Sequence, residues 1–184
     1  MVLPIVAYGD PVLREVGKEI PSKDNAIAQL IEDMFETMYA ADGVGLAAPQ
    51  IGRSLRLFVV DASSFSEEEP ELSAFKKVFI NPKILEESGE EWPFKEGCLS
   101  IPGIRENVVR LDTVRLKYRD ENFEEKEEVF SGMAARIIQH EYDHIEGVLF
   151  VDRINPLKKR MLKGKLQDIA KGKVKINYRM KFPK

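Results

Sequence analysis

Cysteine, histidine and tryptophan are nearly absent from this chain of 184 residues, which holds one cysteine, two histidines and one tryptophan. The lone thiol, Cys98, excludes an internal disulfide framework and suits a reducing cytoplasm. Long apolar runs are missing too: nothing approaches the ~20 residues of a membrane span. The apolar start, Met1 to Tyr8, is broken by Pro4 and has no basic leader, so no secretory signal is expected. Repeats and low-complexity linkers are also lacking, and the length fits one compact domain. With 43% hydrophobic and 32% charged residues, the composition excludes global disorder.

The charge present is unevenly spread. The net charge is −3, yet from Arg153 to Lys184 there are twelve Lys or Arg against a single acid, Asp168. Such a segment attracts a polyanion, RNA or a membrane surface; the plainer alternative is a solvated helix face with a frayed tail.

Apolar Ile27, Leu30, Ile31, Met34, Phe35 and Met38 recur at helical spacing and predict a helix over 25–40, ended by Asp42-Gly43. Residues 56–61 read as a buried strand and 63–71 as an acidic surface loop. A short strand at 78–80 is expected to close at Asn81-Pro82, because proline cannot donate to a ladder. Val114, Leu116 and Tyr118 alternate with charged residues, the signature of a strand with one wet face, and 123–130 can return antiparallel. A second helix is expected from Ser131 as N-cap to Glu146, and a third from Asn155-Pro156 to about Lys171. Val174–Met180 reads as an edge strand or a tail. This order predicts an α+β fold of short antiparallel strands packed around a central metal-binding helix, with a basic C-terminal helix.

Both histidines lie in one pentapeptide, His140-Glu141-Tyr142-Asp143-His144, inside the second predicted helix. At ~100° per residue the two imidazoles lie ~40° apart on one face, one turn apart in height, and can share a metal ion. Glu141 sits close enough to act on a water there without displacing a histidine, while Tyr142 falls on the core side. A third protein ligand is needed, with one position left open. Cys98, preceded by Gly97, is one candidate; Asp168, on the third predicted helix, is its rival, and spacing alone does not choose between them.

The run Gly43-Val44-Gly45-Leu46-Ala47-Ala48 fits a dinucleotide fingerprint on paper. That mechanism needs a strand before and a helix after, whereas here a helix precedes and Pro49 follows. The glycines instead bare backbone groups on which an extended peptide can dock as an added strand. Gln50, just beyond, offers an amide donor to a developing oxyanion or is an ordinary surface side chain.

Taken together, Gly43–Gln50, Glu96-Gly97-Cys98-Leu99-Ser100 and Gln139–His144 resemble the peptide deformylase family, in its order and approximate spacing. The opening Tyr8–Arg14 extends the likeness to roughly residues 4–155. The resemblance implies a catalytic domain over 1–155, with 156–184 as a basic C-terminal helix and tail of the same domain. It favours Cys98, His140 and His144 as ligands of one divalent ion, commonly Fe2+, with Zn2+, Ni2+ or Co2+ as substitutes. It further implies Glu141 as general base, with the Gln50 side chain and the Leu99 N–H as oxyanion donors. The backbones of Val44, Gly45 and Gly97 would pair with an N-formylmethionyl nascent polypeptide, from which formate is released.

Met133 and Ile137 can line a methionine pocket, Arg105 can steer the downstream peptide, and Glu96 with Arg110 can brace the cysteine loop. The basic C-terminal segment suggests contact with the ribosome, while neither membrane nor DNA is expected as a partner. Two other readings stay open: a zinc endopeptidase using His140, His144 and Asp168, and a metal-stabilised binding module without catalysis.

Overall fold

The computed structural model describes all 184 residues. Strand β1 (Ile5–Val6) leads into a 3-10 turn at Pro11–Arg14 and helix α1 (Asn25–Ala40). The Asp24 carboxylate caps α1 by accepting the Ile27 N–H at 2.9 Å, as a helix start requires. Strands β2 (Gly45–Ala47), β3 (Leu57–Asp61), β4 (Lys76–Cys98), β5 (Ile101–Arg119) and β6 (Glu125–Ser131) follow in order. They pair antiparallel as neighbours in one five-stranded sheet, of which β2 is an edge. Helix α2 (Gly132–Ile145) comes next, then α3 (Pro156–Met161), α4 (Lys163–Ala170) and β7 (Met180–Lys181). Strand β7 pairs in parallel with β1, forming a separate two-stranded sheet. The fold is α+β.

Strand periodicity explains why α2 is central. Along β3, Leu57 and Val59 face α1 residues such as Met34 and Met38, while Phe58 and Val60 face Ile137 and Ile138 of α2. Successive side chains alternate sides, so a strand buried on both faces reads as an unbroken apolar run. A third cluster joins Val6 and Ala7 to Ile101, Phe150, and Leu166 and Ile169 of α4. The basic C-terminal region is thereby tied to the sheet's far end.

Four expectations change. The strand at 78–80 does not close at Asn81-Pro82; it is part of a 23-residue strand. A register shift between Ile80 and Lys83 absorbs the missing N–H of Pro82, and Asn81 adopts φ 49°. Asparagine tolerates this left-handed geometry, and its side chain clasps Ile20 through both the N–H at 2.8 Å and the carbonyl at 2.7 Å. The 114–119 segment likewise belongs to a 19-residue strand, so the sheet's middle strands are long rather than short. The third helix breaks at Leu162 into α3 and α4. Ser131 does precede α2, but its side chain makes no capping bond. Glu69 of the acidic loop accepts the Met133 N–H instead, at 2.9 Å, placing a negative charge at the positive end of the helix.

Candidate metal centre and cleft

Three segments meet at the pair of histidines. The first is the end of β4, where Cys98 stands before the two-residue turn Leu99-Ser100 that leads into β5. The second is the edge strand β2 with the 3-10 turn Ala48–Ile51 behind it, which carries Gln50. The third is α2 itself. Nearly every side chain of α2 is buried, charged ones included.

Cys98, His140 and His144 place their ligand atoms within 4.8 Å of one another, with the Cys98 sulfur 3.3 Å from His144 Nε2. Bonds of ~2.0–2.3 Å around a tetrahedral ion separate donors by ~3.3–3.7 Å, so this set fits one metal ion. His140 turns its other nitrogen, Nδ1, to Glu96 Oε1 at 2.8 Å, the usual way a ligating imidazole is oriented. Asp168 lies exposed on α4 and takes no part in the cluster, which removes the rival ligand.

Glu141 is 4% exposed, and its Oε2 has no hydrogen-bond partner. Burial pushes this carboxyl up to about 7. Its other oxygen lies against Gly45, where a Cβ would come within 2.5 Å of Oε1. The second glycine of the loop therefore has a packing role besides baring backbone: no larger residue leaves room for Glu141. Gln50 is only 1% exposed, contrary to an ordinary surface side chain. Its Oε1 accepts the Ala47 N–H at 2.9 Å, which turns Nε2 toward the Cys98 sulfur at 3.4 Å and Ser100 Oγ at 3.3 Å.

Behind the donors lies a network of buried charge only partly anticipated. Arg110 makes the expected pair with Glu96, bidentate at 2.7 and 3.0 Å, and also reaches Asp143 at 2.9 Å. Arg136 donates to Glu96 at 2.7 Å and to the carbonyls of Val108 and Trp92, and lies over the Trp92 ring. Arg153 closes on Asp143 at 2.6 and 2.7 Å. Burial works to raise the Glu96 carboxyl, but hydrogen bonds from His140 and Arg110 prevail and hold it well below the usual range. Arg136 and Asp143 were missed; the available signal was charge on the same helix as the metal-binding histidines, Arg136 between Ala135 and Ile137 and Asp143 beside His144.

The donors open onto a cleft of about 1190 Å³. Val44, Gly45, Gly97, Leu99, Met133 and Ile137 line it, together with Arg105, so the residues singled out for substrate share one surface. Lys175–Tyr178, which the sequence left as edge strand or tail, also line it.

One thiol, two imidazoles and a buried carboxyl beside a peptide-sized cleft define a class, the metal-dependent hydrolases. The family model of polypeptide deformylases matches residues 2–160, and the chain belongs to that family, whose members remove the N-formyl group from nascent peptides. A peptide deformylase of Flavobacterium psychrophilum is 56% identical over 189 residues, covering 99% of this chain and 97% of that protein. One from Cytophaga hutchinsonii is 55% identical over 183 residues, covering 100% and 98%. Among solved structures, a Legionella pneumophila peptide deformylase superposes with a TM-score of 0.83 at 40% identity, covering 94% of this chain and 98% of that one. The family is metal-dependent, and the Cys98, His140 and His144 cluster can hold the ion. No helix is long and apolar enough to cross a membrane.

Proposed function

We propose that the chain releases formate from N-formylmethionyl nascent polypeptides, with Cys98, His140 and His144 holding one divalent ion. The observation that carries this is Glu141: a buried, unpartnered carboxyl oxygen facing a three-donor cluster at the foot of a peptide-sized cleft. An orphaned buried acid is costly to stability, so its presence at a cleft marks work to be done there. When bound, the ion supplies Lewis acidity toward the formyl oxygen and an acidified water. Glu141 accepts the proton of the attacking water and later delivers it to the leaving amine of methionine. Gln50 Nε2, fixed by the Ala47 contact, and the Leu99 N–H in the adjacent turn hold the tetrahedral oxyanion.

The substrate chain pairs with the backbones of Val44, Gly45 and Gly97. Support for this comes from β2 being a sheet edge and from all three residues lining the cleft. Met133 and Ile137 take the methionine side chain, supported by their place on the cleft wall. Fe2+ is the ion of choice, with Zn2+, Ni2+ or Co2+ as substitutes, since one thiolate and two imidazoles suit all four. The protein works in the cytoplasm, consistent with its lone free thiol. Residues 1–155 carry the metal ligands and catalytic groups and 156–184 complete the same domain, supported by the packing of Leu166 and Ile169 against Val6 and Ile101.

The segment from Arg153 on contacts ribosomal RNA near emerging chains. Support comes from exposed Leu157 and Met161 flanking Lys158, Lys159 and Arg160 on α3. Binding to ribosomes that weakens steeply with added salt is the expected signature.

The deciding experiment is anaerobic purification with metal analysis, followed by formate release from a formyl-Met peptide. Wild type is expected to carry about one ion per chain and turn over. Glu141→Gln is expected to keep the ion and lose ~10²–10⁴-fold in turnover. Metal retention with undiminished activity in Cys98→Ala defeats the assignment.

A further inference from the structure

Turns that end a long hairpin are ordinarily free to flex, yet the one carrying Leu99 is held from three directions. The Tyr178 hydroxyl donates to the Leu99 carbonyl at 2.7 Å, and the Tyr8 N–H donates to the Ser100 carbonyl at 2.9 Å. Gln50 adds its contact to the Ser100 hydroxyl. Tyr178 arrives on the segment running into β7, which the β1 pairing anchors through the Ile5 and Ala7 N–H groups, each 2.9 Å from its acceptor. Burial pushes the Tyr178 hydroxyl up to about 12, so it remains a donor throughout the working range. Fixing the carbonyl on one side of the Leu99 Cα limits the swing of the N–H on the other. The same segment puts exposed Lys175 on the cleft, in company with Lys95 and Arg105. The only acid lining the cleft apart from Glu96 and Glu141 is Asp42.

We propose that Lys175–Tyr178 is a working wall of the substrate cleft, in which Tyr178 is a positioning residue for the Leu99 turn and Lys175 meets a carboxylate on the peptide downstream of the formylated methionine. The inference rests on the deformylase reading. It gives the C-terminal segment a part in turnover that its composition, suited to polyanions, does not suggest.

The test uses the metal-loaded full chain and two peptides, formyl-Met-Ala-Ser-amide and formyl-Met-Ala-Glu-amide. Tyr178→Phe removes one hydrogen bond worth a few-fold, so kcat is expected to fall about 3- to 10-fold on both peptides. KM and metal content should stay at wild-type values and the melting temperature within about 4 °C of it, which separates positioning from mere support. Unchanged kcat, or a loss that tracks metal content or melting temperature, overturns the role of Tyr178. Lys175 is exposed, so Lys175→Glu leaves folding intact and decides the wall independently. Its KM for the glutamate peptide is expected to rise about 3-fold or more, with the serine peptide unaffected and the gap closing in salt. Equal KM values before and after the substitution overturn that part. Wild type releasing no formate from either peptide would instead defeat the deformylase reading itself.

Discussion

Charge is handled in opposite ways on the two sides of β5. Toward α2, Glu96, Arg110, Arg136 and Asp143 pair at 2.7–2.9 Å with side chains 2–8% exposed. Toward β6, Lys117 meets Glu125 at 3.3 Å and Arg115 meets Glu127 at 3.6 Å, with about half of each side chain in water. The geometry differs by less than an ångström, but the surroundings differ by everything that decides an ion pair's worth. In water a pair gains little and is screened by salt. In the interior each ion has lost its hydration, and removing one member strands the other. The buried network is therefore expensive to break without being a source of net stability. What it secures is orientation, because Glu96 is the group that fixes the His140 ring.

The sharpest way to expose the contrast is Arg110→Met, which keeps bulk but removes the guanidinium that Glu96 and Asp143 share, leaving Glu96 to Arg136 and Asp143 to Arg153. A loss of about 3–5 kcal/mol is expected, read as a fall of roughly 10 °C in the melting temperature of the metal-loaded protein. A change under 1 kcal/mol would put the buried network on a par with the surface pairs. Glu96→Gln retains a hydrogen-bond acceptor for His140 but removes the charge. Metal affinity should fall about 10- to 100-fold, measured by competition with a chelator.

An intermediate case is Asp152, whose partner Arg14 is 44% exposed while its own side chain is 24% exposed. Burial opposes its charge, but hydrogen bonds from Arg14, the Leu149 N–H and Lys159 hold its carboxyl down at about 2. A carboxyl depressed on folding adds stability that is fully present above the unfolded value near 4 and lost as pH falls toward 2. Asp152→Asn should thus cost about 1–2 kcal/mol at neutral pH and nothing near pH 2, read from urea unfolding at both. At the small end, Lys117→Ala and Glu125→Ala are each expected to shift stability by less than about 0.5 kcal/mol, and the double mutant to show no coupling at high salt.

What the sequence disclosed follows the same division between local and distant. Helix α1 matched residue for residue, because its signal is a period carried within the segment itself. The two histidines and Glu141 were legible for the same reason: helical spacing converts directly into geometry. Cys98 needed the family likeness, since nothing local says that a hairpin end meets a helix more than forty residues later. The β4–β5 hairpin was illegible over most of its length. Four register shifts interrupt its alternation, and Asn81-Pro82 reads as a stop. Arg136 and Asp143 were hidden because charged letters are read as wet unless their partners are known.

The β1–β7 pairing has a kinetic consequence. It joins Ile5 to Met180 by parallel pairing of two residues on each side, closing a loop of roughly 175 residues. Contacts that remote in sequence form late in folding, and so brief a ladder opens at little energy. The amide hydrogens of Ile5 and Ala7 should therefore exchange with deuterium long before those of Phe58 and Val60 in the doubly covered strand, making this seam the first to come undone.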